Sequence, residues 1–138
     1  MKTIDMQDMR HLNLFGKITR IDTRFCFTYN GVIFFCVPKE LVSRAVGENG
    51  KNVRKINEIL GKRIRIISSP NGISDAKNFV KDVINPVAFK SLELIGNEMV
   101  ITSGNMQNKA AIMGRHKRKL LELGKIVKDY FGKELRIA

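Results

Sequence analysis

The chain has 138 residues, enough for one ordinary domain or two small ones, and 43% of them are hydrophobic, enough to form a core. Its net charge of +12 favours a polyanionic partner such as nucleic acid, through counterion release and long-range attraction. A basic chain that is merely soluble and has no discrete site is the alternative. No apolar run approaches the roughly 18 residues that span a bilayer, and the first five residues lack the apolar stretch of a secretory signal. We therefore expect a soluble, cytoplasmic protein that does not bind membranes.

The cysteines and histidines do not predict a metal site. Cys26 and Cys36 lie in apolar, strand-like runs, and no histidine is clustered with them in the sequence. They are spaced so that they can face each other across a hairpin, but buried reduced thiols are the expected state in a cytosolic protein. His11 and His116 are far apart and have no neighbouring pattern of ligands. We expect no metal and no cofactor.

A helix and a hairpin are predicted at the start of the chain. Residues 5–18 form the helix, and Asp5 is its expected N-cap. The apolar residues at helical spacing are Met6, Met9, Leu12, Phe15 and Ile18. Residues 22–29 and 32–37 predict two strands joined by a type I′ turn at Asn30 and Gly31. The second strand is continuously apolar, which is typical of a strand buried on both faces.

Two short helices and a closing strand follow. The helical patterns cover residues 39–46 and 51–60, and a Gly-x-x-Gly turn at residues 47–50 joins them. The second helix is expected to present one apolar face, formed by Val53, Ile56, Ile59 and Leu60. Residues 63–67 alternate basic and apolar side chains and predict a strand.

The second half of the chain repeats this order of elements. A breaker-rich connector at residues 68–72 separates two predicted domains, residues 1–70 and 71–138. Ser74 is expected to cap a helix that runs through Ile84. The remaining predictions are strands at 87–95 and 99–102, helices at 106–113 and 118–131, and a strand at 134–137.

The repeat can be followed residue by residue. When Gly47 is aligned with Gly114, the apolar pair before each glycine also aligns, and Gly50 falls on Lys117. The helix after the second turn is about one turn longer, which keeps its apolar face in register. We therefore predict two copies of one small α+β unit.

The frame around the first turn carries a resemblance to a known family. It reads Ala45-Val46-Gly47-Glu48-Asn49-Gly50-Lys51-Asn52-Val53. This frame and the order of elements resemble the type II KH domain, in which a three-stranded sheet is covered by three helices. Two such units in tandem are similar to the KH pair of NusA. A chain of this length resembles the archaeal NusA-like factors of transcription termination and elongation.

The resemblance implies a cleft between the turn and the sheet edge that accepts about four unpaired nucleotides of RNA, and for the second turn a purely structural role is the alternative. The implied RNA-binding residues of the first unit are Val46, Gly47, Glu48, Asn49, Gly50, Lys51, Arg54 and Lys55. Those of the second unit are Gly114, Arg115, His116, Lys117, Arg118 and Lys119. The amides of Gly50 and Lys51 are expected to meet phosphate, and Val42, Val46 and Val53 to form an apolar floor for bases. Core packing is the alternative for these valines, and a solvated surface is the alternative for the cations.

Two residues depart from the family pattern. Glu48 places a carboxylate in the first turn, where it opposes a polyanion. Lys117 replaces the last glycine of the second turn, and its Cβ disfavours positive φ and close backbone approach. The cations from Arg115 to Lys119 nevertheless favour anion binding, since positive charge at a helix N-terminus has no favourable interaction with the helix dipole.

The leading hypothesis is a non-enzymatic, single-stranded RNA-binding protein that acts on nascent transcripts. A ribosome-biogenesis or ribosome-associated KH protein is one alternative, and a KH-fold protein-interaction module without RNA binding is another. A nuclease would need convergent carboxylates or a nucleophile with a base, and the sequence predicts no such cluster. RNA polymerase and other transcription or translation components remain open as partners, as does the oligomeric state.

Overall fold

A computed structural model describes residues 5–138, which divide into two compact units, residues 5–69 and Pro70–Ala138. Each unit has three α-helices and one three-stranded sheet. The predicted α+β class with two tandem KH-like units is therefore confirmed. No helix in the described part of the chain is both long and apolar enough to cross a membrane.

The first unit has the order helix, strand, strand, helix, helix, strand. Its elements are α1 (Met6–Thr19), β1 (Phe25–Tyr29), β2 (Val32–Val37), α2 (Val42–Val46), α3 (Lys51–Leu60) and β3 (Ile64–Ser68). Strand β2 is central, antiparallel to β1 and parallel to β3. The short turn of 3₁₀ helix Lys39–Leu41 leads into α2 after Pro38 ends β2.

The second unit repeats this topology. Its elements are α4 (Ala76–Ile84), β4 (Ser91–Ile95), β5 (Glu98–Thr102), α5 (Met106–Met113), α6 (Arg118–Phe131) and β6 (Glu134–Ile137). Strand β5 is central, antiparallel to β4 and parallel to β6. Helix α6 has 14 residues and α3 has 10, so the predicted one-turn insertion is confirmed.

Local signals account for the start of α1 and for the first hairpin. The Asp5 carboxylate accepts a hydrogen bond from the Asp8 amide at 2.7 Å, as expected of an N-cap. Asn30 and Gly31 have φ values of 51° and 76°, the pair of positive angles that a type I′ turn requires. Both predictions are confirmed.

The predicted Ser74 cap is wrong. Ser74 lies inside the 3₁₀ turn Ile73–Asp75, and α4 begins at Ala76 without a side-chain cap. The Asp75 carboxylate instead accepts a hydrogen bond from the Asn71 amide at 2.7 Å. A short polar side chain close to a helix start can bind the preceding loop as readily as the helix, which local sequence does not distinguish.

The core of the first unit lies between β2 and the helices. Phe15 of α1 and Phe35 of β2 are fully buried, and their rings stack with centroids 4.5 Å apart. Phe34 and Cys36 point to the opposite face of the sheet and are also buried. The prediction that this strand is buried on both faces is therefore confirmed.

Three apolar side chains predicted on helix faces are exposed instead. Met6 and Met9 are 74% and 53% exposed, so the apolar stripe of α1 reaches the core only from its second turn onward. Ile59 is 56% exposed, whereas Ile56 is buried and Val53 and Leu60 pack against the core. Ile59 lies about 100° around the helix from Leu60, which takes it off the buried face.

The two cysteines do not face each other. Cys26 lies opposite Phe35 in the hairpin, and Cys36 lies opposite Phe25. These are adjacent positions of the ladder, so the two side chains point to opposite faces of the sheet. Both residues are buried thiols rather than disulfide partners, as expected.

Because Phe15 is buried against Phe35, truncating Phe15 should cost far more free energy of unfolding than truncating an exposed residue of the same helix. Phe15→Ala should lower the free energy of unfolding by about 3–5 kcal/mol, because it leaves a cavity at a fully buried site. Met9→Ala, in the same helix, should change it by no more than about 0.5 kcal/mol. Urea unfolding followed by circular dichroism measures both, and equal losses would refute this placement of the core.

Candidate nucleic-acid interface

The turn between α2 and α3 is set by three residues with positive φ. Gly47 has φ 83° and ψ 164°, and Asn49 and Gly50 then lie in the left-handed region, with φ values of 57° and 73°. The conformation of Gly47 is one that essentially only glycine adopts. The left-handed conformation of the other two is less restrictive, because asparagine enters it readily. We call residues 47–50 the first turn.

The Gly50 and Lys51 amides, which were expected to meet phosphate, donate hydrogen bonds to carbonyl oxygens of the turn. The Gly50 amide donates to the Gly47 carbonyl oxygen at 3.0 Å. The Lys51 amide donates to the Glu48 carbonyl oxygen. Residues 48–50 form a single turn of 3₁₀ helix, and the Gly50 and Lys51 amides donate the hydrogen bonds that hold it. Side chains must therefore supply more of any contact with an anion than the sequence suggested.

Asn52 braces the turn from the first residues of α3. Its side-chain amide donates to the Ala45 carbonyl oxygen at 3.1 Å and so satisfies the C-terminal end of α2. A Cβ on Gly47 would lie 3.0 Å from the Asn52 side chain, so this contact leaves no space for one. No role for Asn52 was expected from the sequence. Its position beside the glycine is visible in the sequence, but the close approach is not.

Arg54 places a cation directly over the first turn. Its guanidinium donates to the Asn49 carbonyl oxygen and lies 3.5 Å from where a Cβ on Gly50 would be. Lys51 and Lys55 are exposed on the same first turns of α3, and Glu48 is exposed in the turn itself. The structure thus brings Arg54 to the predicted site, together with one opposing carboxylate.

The second turn, residues 114–117, has the same backbone without its last glycine. Gly114 has φ 72° and ψ 177°, and His116 and Lys117 have φ values of 55° and 59°. The Lys117 amide donates to the Gly114 carbonyl oxygen at 3.2 Å, which matches the Gly50 to Gly47 bond. Lys117 therefore adopts the positive φ that its Cβ was expected to disfavour.

Two consecutive left-handed residues other than glycine store strain in the second turn. Each such residue costs roughly 1–3 kcal/mol, and they are common at ligand-binding sites. Arg115, His116, Lys117 and Arg118 are all exposed, whereas Lys119 is half-buried. The Lys119 side chain lies close to Gly114, where a Cβ would approach its Cγ to 2.7 Å. Four of the five predicted residues therefore present their side chains to solvent, and Lys119 packs against the turn.

Some of the other residues predicted to contact RNA pack within the protein instead. Val42 and Val53 pack against the core cluster, and Val46 is half-buried. The Arg65 guanidinium lies 5.3 Å from the centre of the Phe34 ring, within the range of a cation–π interaction, whereas Arg63 is exposed. A core role therefore accounts for the partial burial of Val42 and Val53.

Comparison with known proteins identifies two relatives. The chain is 25% identical over 100 residues to a protein of Methanococcus vannielii named "Probable transcription termination protein NusA", covering 71% of this chain and 56% of that protein. It is 23% identical over 127 residues to a protein of the same name from Methanocaldococcus jannaschii, covering 90% of this chain and 68% of that one. The chain thus spans little more than half the length of the first relative. The predicted resemblance to the archaeal NusA-like family is confirmed.

A solved structure has the same fold. The crystal structure of APE1850 matches with a TM-score of 0.68 and 23% identity, covering 98% of this chain and all of that chain. No protein-family model matches the chain.

The two glycines of the first turn should differ in their tolerance of a methyl group. Gly47→Ala should cost about 3 kcal/mol, because it adds a contact with Asn52 to a backbone that only glycine favours. Gly50→Ala should cost about 1 kcal/mol, since Lys117 occupies the same conformation in the second unit. Chemical denaturation measures both, and a larger loss for Gly50→Ala would contradict this assignment.

Proposed function

We propose that this chain, which resembles archaeal NusA-like proteins over most of its length, is a non-enzymatic protein that binds single-stranded RNA. It acts on nascent transcripts during termination, antitermination or elongation. One observation carries the proposal: both units hold the same glycine-initiated turn at the start of a cation-bearing helix, although the turn sequences differ. The names of the two relatives support a role in transcription.

The cations at the two turns suit an RNA backbone. Arg54 is anchored to the first turn by its bond to the Asn49 carbonyl oxygen, so its guanidinium is already oriented when a phosphate arrives. The second turn places four exposed cationic or titratable side chains on consecutive residues, Arg115 to Arg118. Because counterions are released when such groups bind phosphates, affinity should depend steeply on salt.

A single strand fits these turns better than a duplex. Each turn is only four residues long, and in the KH resemblance such a turn holds about four unpaired nucleotides. Fluorescence anisotropy with single-stranded RNA, duplex RNA and single-stranded DNA tests this preference. Equal, salt-sensitive binding to all three would reduce the site to a general basic surface. Weak binding with a shallow salt dependence would instead favour a protein-interaction module.

Gly50→Asp should weaken the binding of single-stranded RNA by at least about tenfold, because it places a negative charge beside Arg54 where phosphate approaches. The fold should be retained, since aspartate tolerates the left-handed conformation. The matched control is Gly61→Asp, which changes the net charge equally. Gly61 has nearly the same backbone angles, φ 66° and ψ 23°, and open space around it. Equal affinity losses in the two folded variants would show that the first turn is not the clamp.

The second turn is tested by its contribution to the salt dependence. Replacing Arg115, Lys117 and Arg118 together by Ala should lower affinity and reduce the slope of log K against log salt by up to about two, at about 0.7 per phosphate contact. Replacing Lys77, Lys81 and Lys90 by Ala removes the same charge elsewhere in the second unit and should change the slope less. An unchanged slope in the turn variant would exclude the second turn from RNA binding.

A further inference from the structure

Three side chains with metal-binding atoms converge between α1 and β1. One ligand atom from each of Asp8, His11 and Cys26 lies within 4.8 Å of the other two. Among residues 5–138 this is the one such group of three. No metal site was expected here, because no histidine is clustered with Cys26 in the sequence. Asp8 and His11 are spaced i, i+3 on one face of α1, and Cys26 points from β1 toward that helix-covered face.

We propose that Asp8, His11 and Cys26 bind one Zn²⁺ ion, with water in the fourth coordination position. Sulfur, nitrogen and oxygen ligands together suit zinc better than magnesium or calcium, which prefer oxygen alone. Zinc bond lengths of about 2.0–2.3 Å place tetrahedral ligands about 3.3–3.6 Å apart. The three ligand atoms lie within 4.8 Å of one another, so their separations exceed that geometry by at most about 1.5 Å.

The burial of the group fits a site with one open side. Cys26 is 1% exposed and His11 is 8% exposed, whereas Asp8 is half-buried and gives access to solvent. The Cys26 thiol now lies 3.8 Å from the Asp8 carbonyl oxygen, a weak S–H···O contact. That contact orients the Cys26 sulfur toward the first turn of α1, where Asp8 lies.

Charge balance also favours a divalent ion. On binding, the Cys26 thiol releases its proton to solvent, so thiolate and carboxylate together carry two negative charges that cancel those of Zn²⁺. Burial lowers the pKa of His11, and Lys62 lowers it further, against opposing effects of Asp8 and Asp5. In its neutral form, imidazole offers a ring-nitrogen lone pair to a metal.

Such an ion would tie the N-terminal helix to the first hairpin of the first unit. No residue of the first or second turn contributes to this metal site. The metal proposal can therefore be tested independently of the RNA proposal. The three ligands come together only in the folded chain, so Zn²⁺ should bind the folded state preferentially and raise the melting temperature.

Cobalt(II) is the direct probe of this site in the reduced, metal-free full chain. The wild-type protein should bind one Co²⁺ and show a thiolate-to-cobalt charge-transfer band with the visible bands of tetrahedral cobalt, and Zn²⁺ should abolish both. Cys26→Ser should lose the charge-transfer band, and its affinity should fall at least about tenfold. Cys36→Ser is the matched control, because Cys36 is equally buried but on the opposite face of the sheet, and it should keep the band. His11→Ala should weaken binding, whereas His116→Ala should not.

Thermal unfolding gives an independent readout. Excess Zn²⁺ should raise the Tm of the wild type and of Cys36→Ser by about 4 °C or more, and that of Cys26→Ser by less. Asp8→Asn, at a half-buried position, tests the same site if Cys26→Ser does not fold, and it should also reduce the Zn²⁺-dependent rise. The proposal is overturned if the wild type shows no thiolate band at excess Co²⁺. It is equally overturned if Cys36→Ser loses the band as completely as Cys26→Ser.

Discussion

The backbone at Gly47 and Gly114 is the constraint on which both candidate RNA sites depend. Each residue combines a positive φ with an extended ψ, 83° and 164° in one case and 72° and 177° in the other. Any side chain there would be strained and would collide with the first turn of the next helix, at Asn52 or Lys119. Once this residue reverses the chain, the following 3₁₀ turn closes and the next helix begins at a defined angle. The backbone conformation of Gly47 and Gly114 therefore positions the exposed side chains that follow each glycine.

The two turns show that one backbone can carry different chemistry. Only the first glycine is common to both, because the left-handed positions after it accept Asn49 and Gly50 in one unit and His116 and Lys117 in the other. The first turn carries a carboxylate, Glu48, and a guanidinium held against the turn. The second carries consecutive cations at the cost of backbone strain. The Gly50 and Lys117 amides make the same bond within their turns, so the two turns differ in their side chains rather than in their backbone.

Much of the fold follows from local and repeated signals. The Asn30 and Gly31 turn, the Asp5 cap and the repeat around Gly47 and Gly114 each have a local physical cause, and the structure agrees with them. Errors arose where local signals compete. Ile59 has the hydrophobicity of its buried neighbours but lies off the buried face of α3, and Ser74 lies inside the 3₁₀ turn before α4 rather than at its N-cap position. Such outcomes depend on what packs nearby, which a helical period alone does not specify.

The amino-acid sequence by itself determined the secondary-structure order, the two-fold repeat, the basic character and the position of both turns. These follow from periodicity, turn chemistry and net charge, which act over a few residues or over the whole chain. Only the tertiary structure decided that Lys117 adopts a glycine-like conformation, that Arg54 lies over the first turn, and that the Gly50 and Lys51 amides are consumed. It also brought Cys26 to Asp8 and His11. The approach of Cys26 depends on the packing of α1 against β1, and the turn contacts depend on backbone angles; spacing along the chain reveals neither.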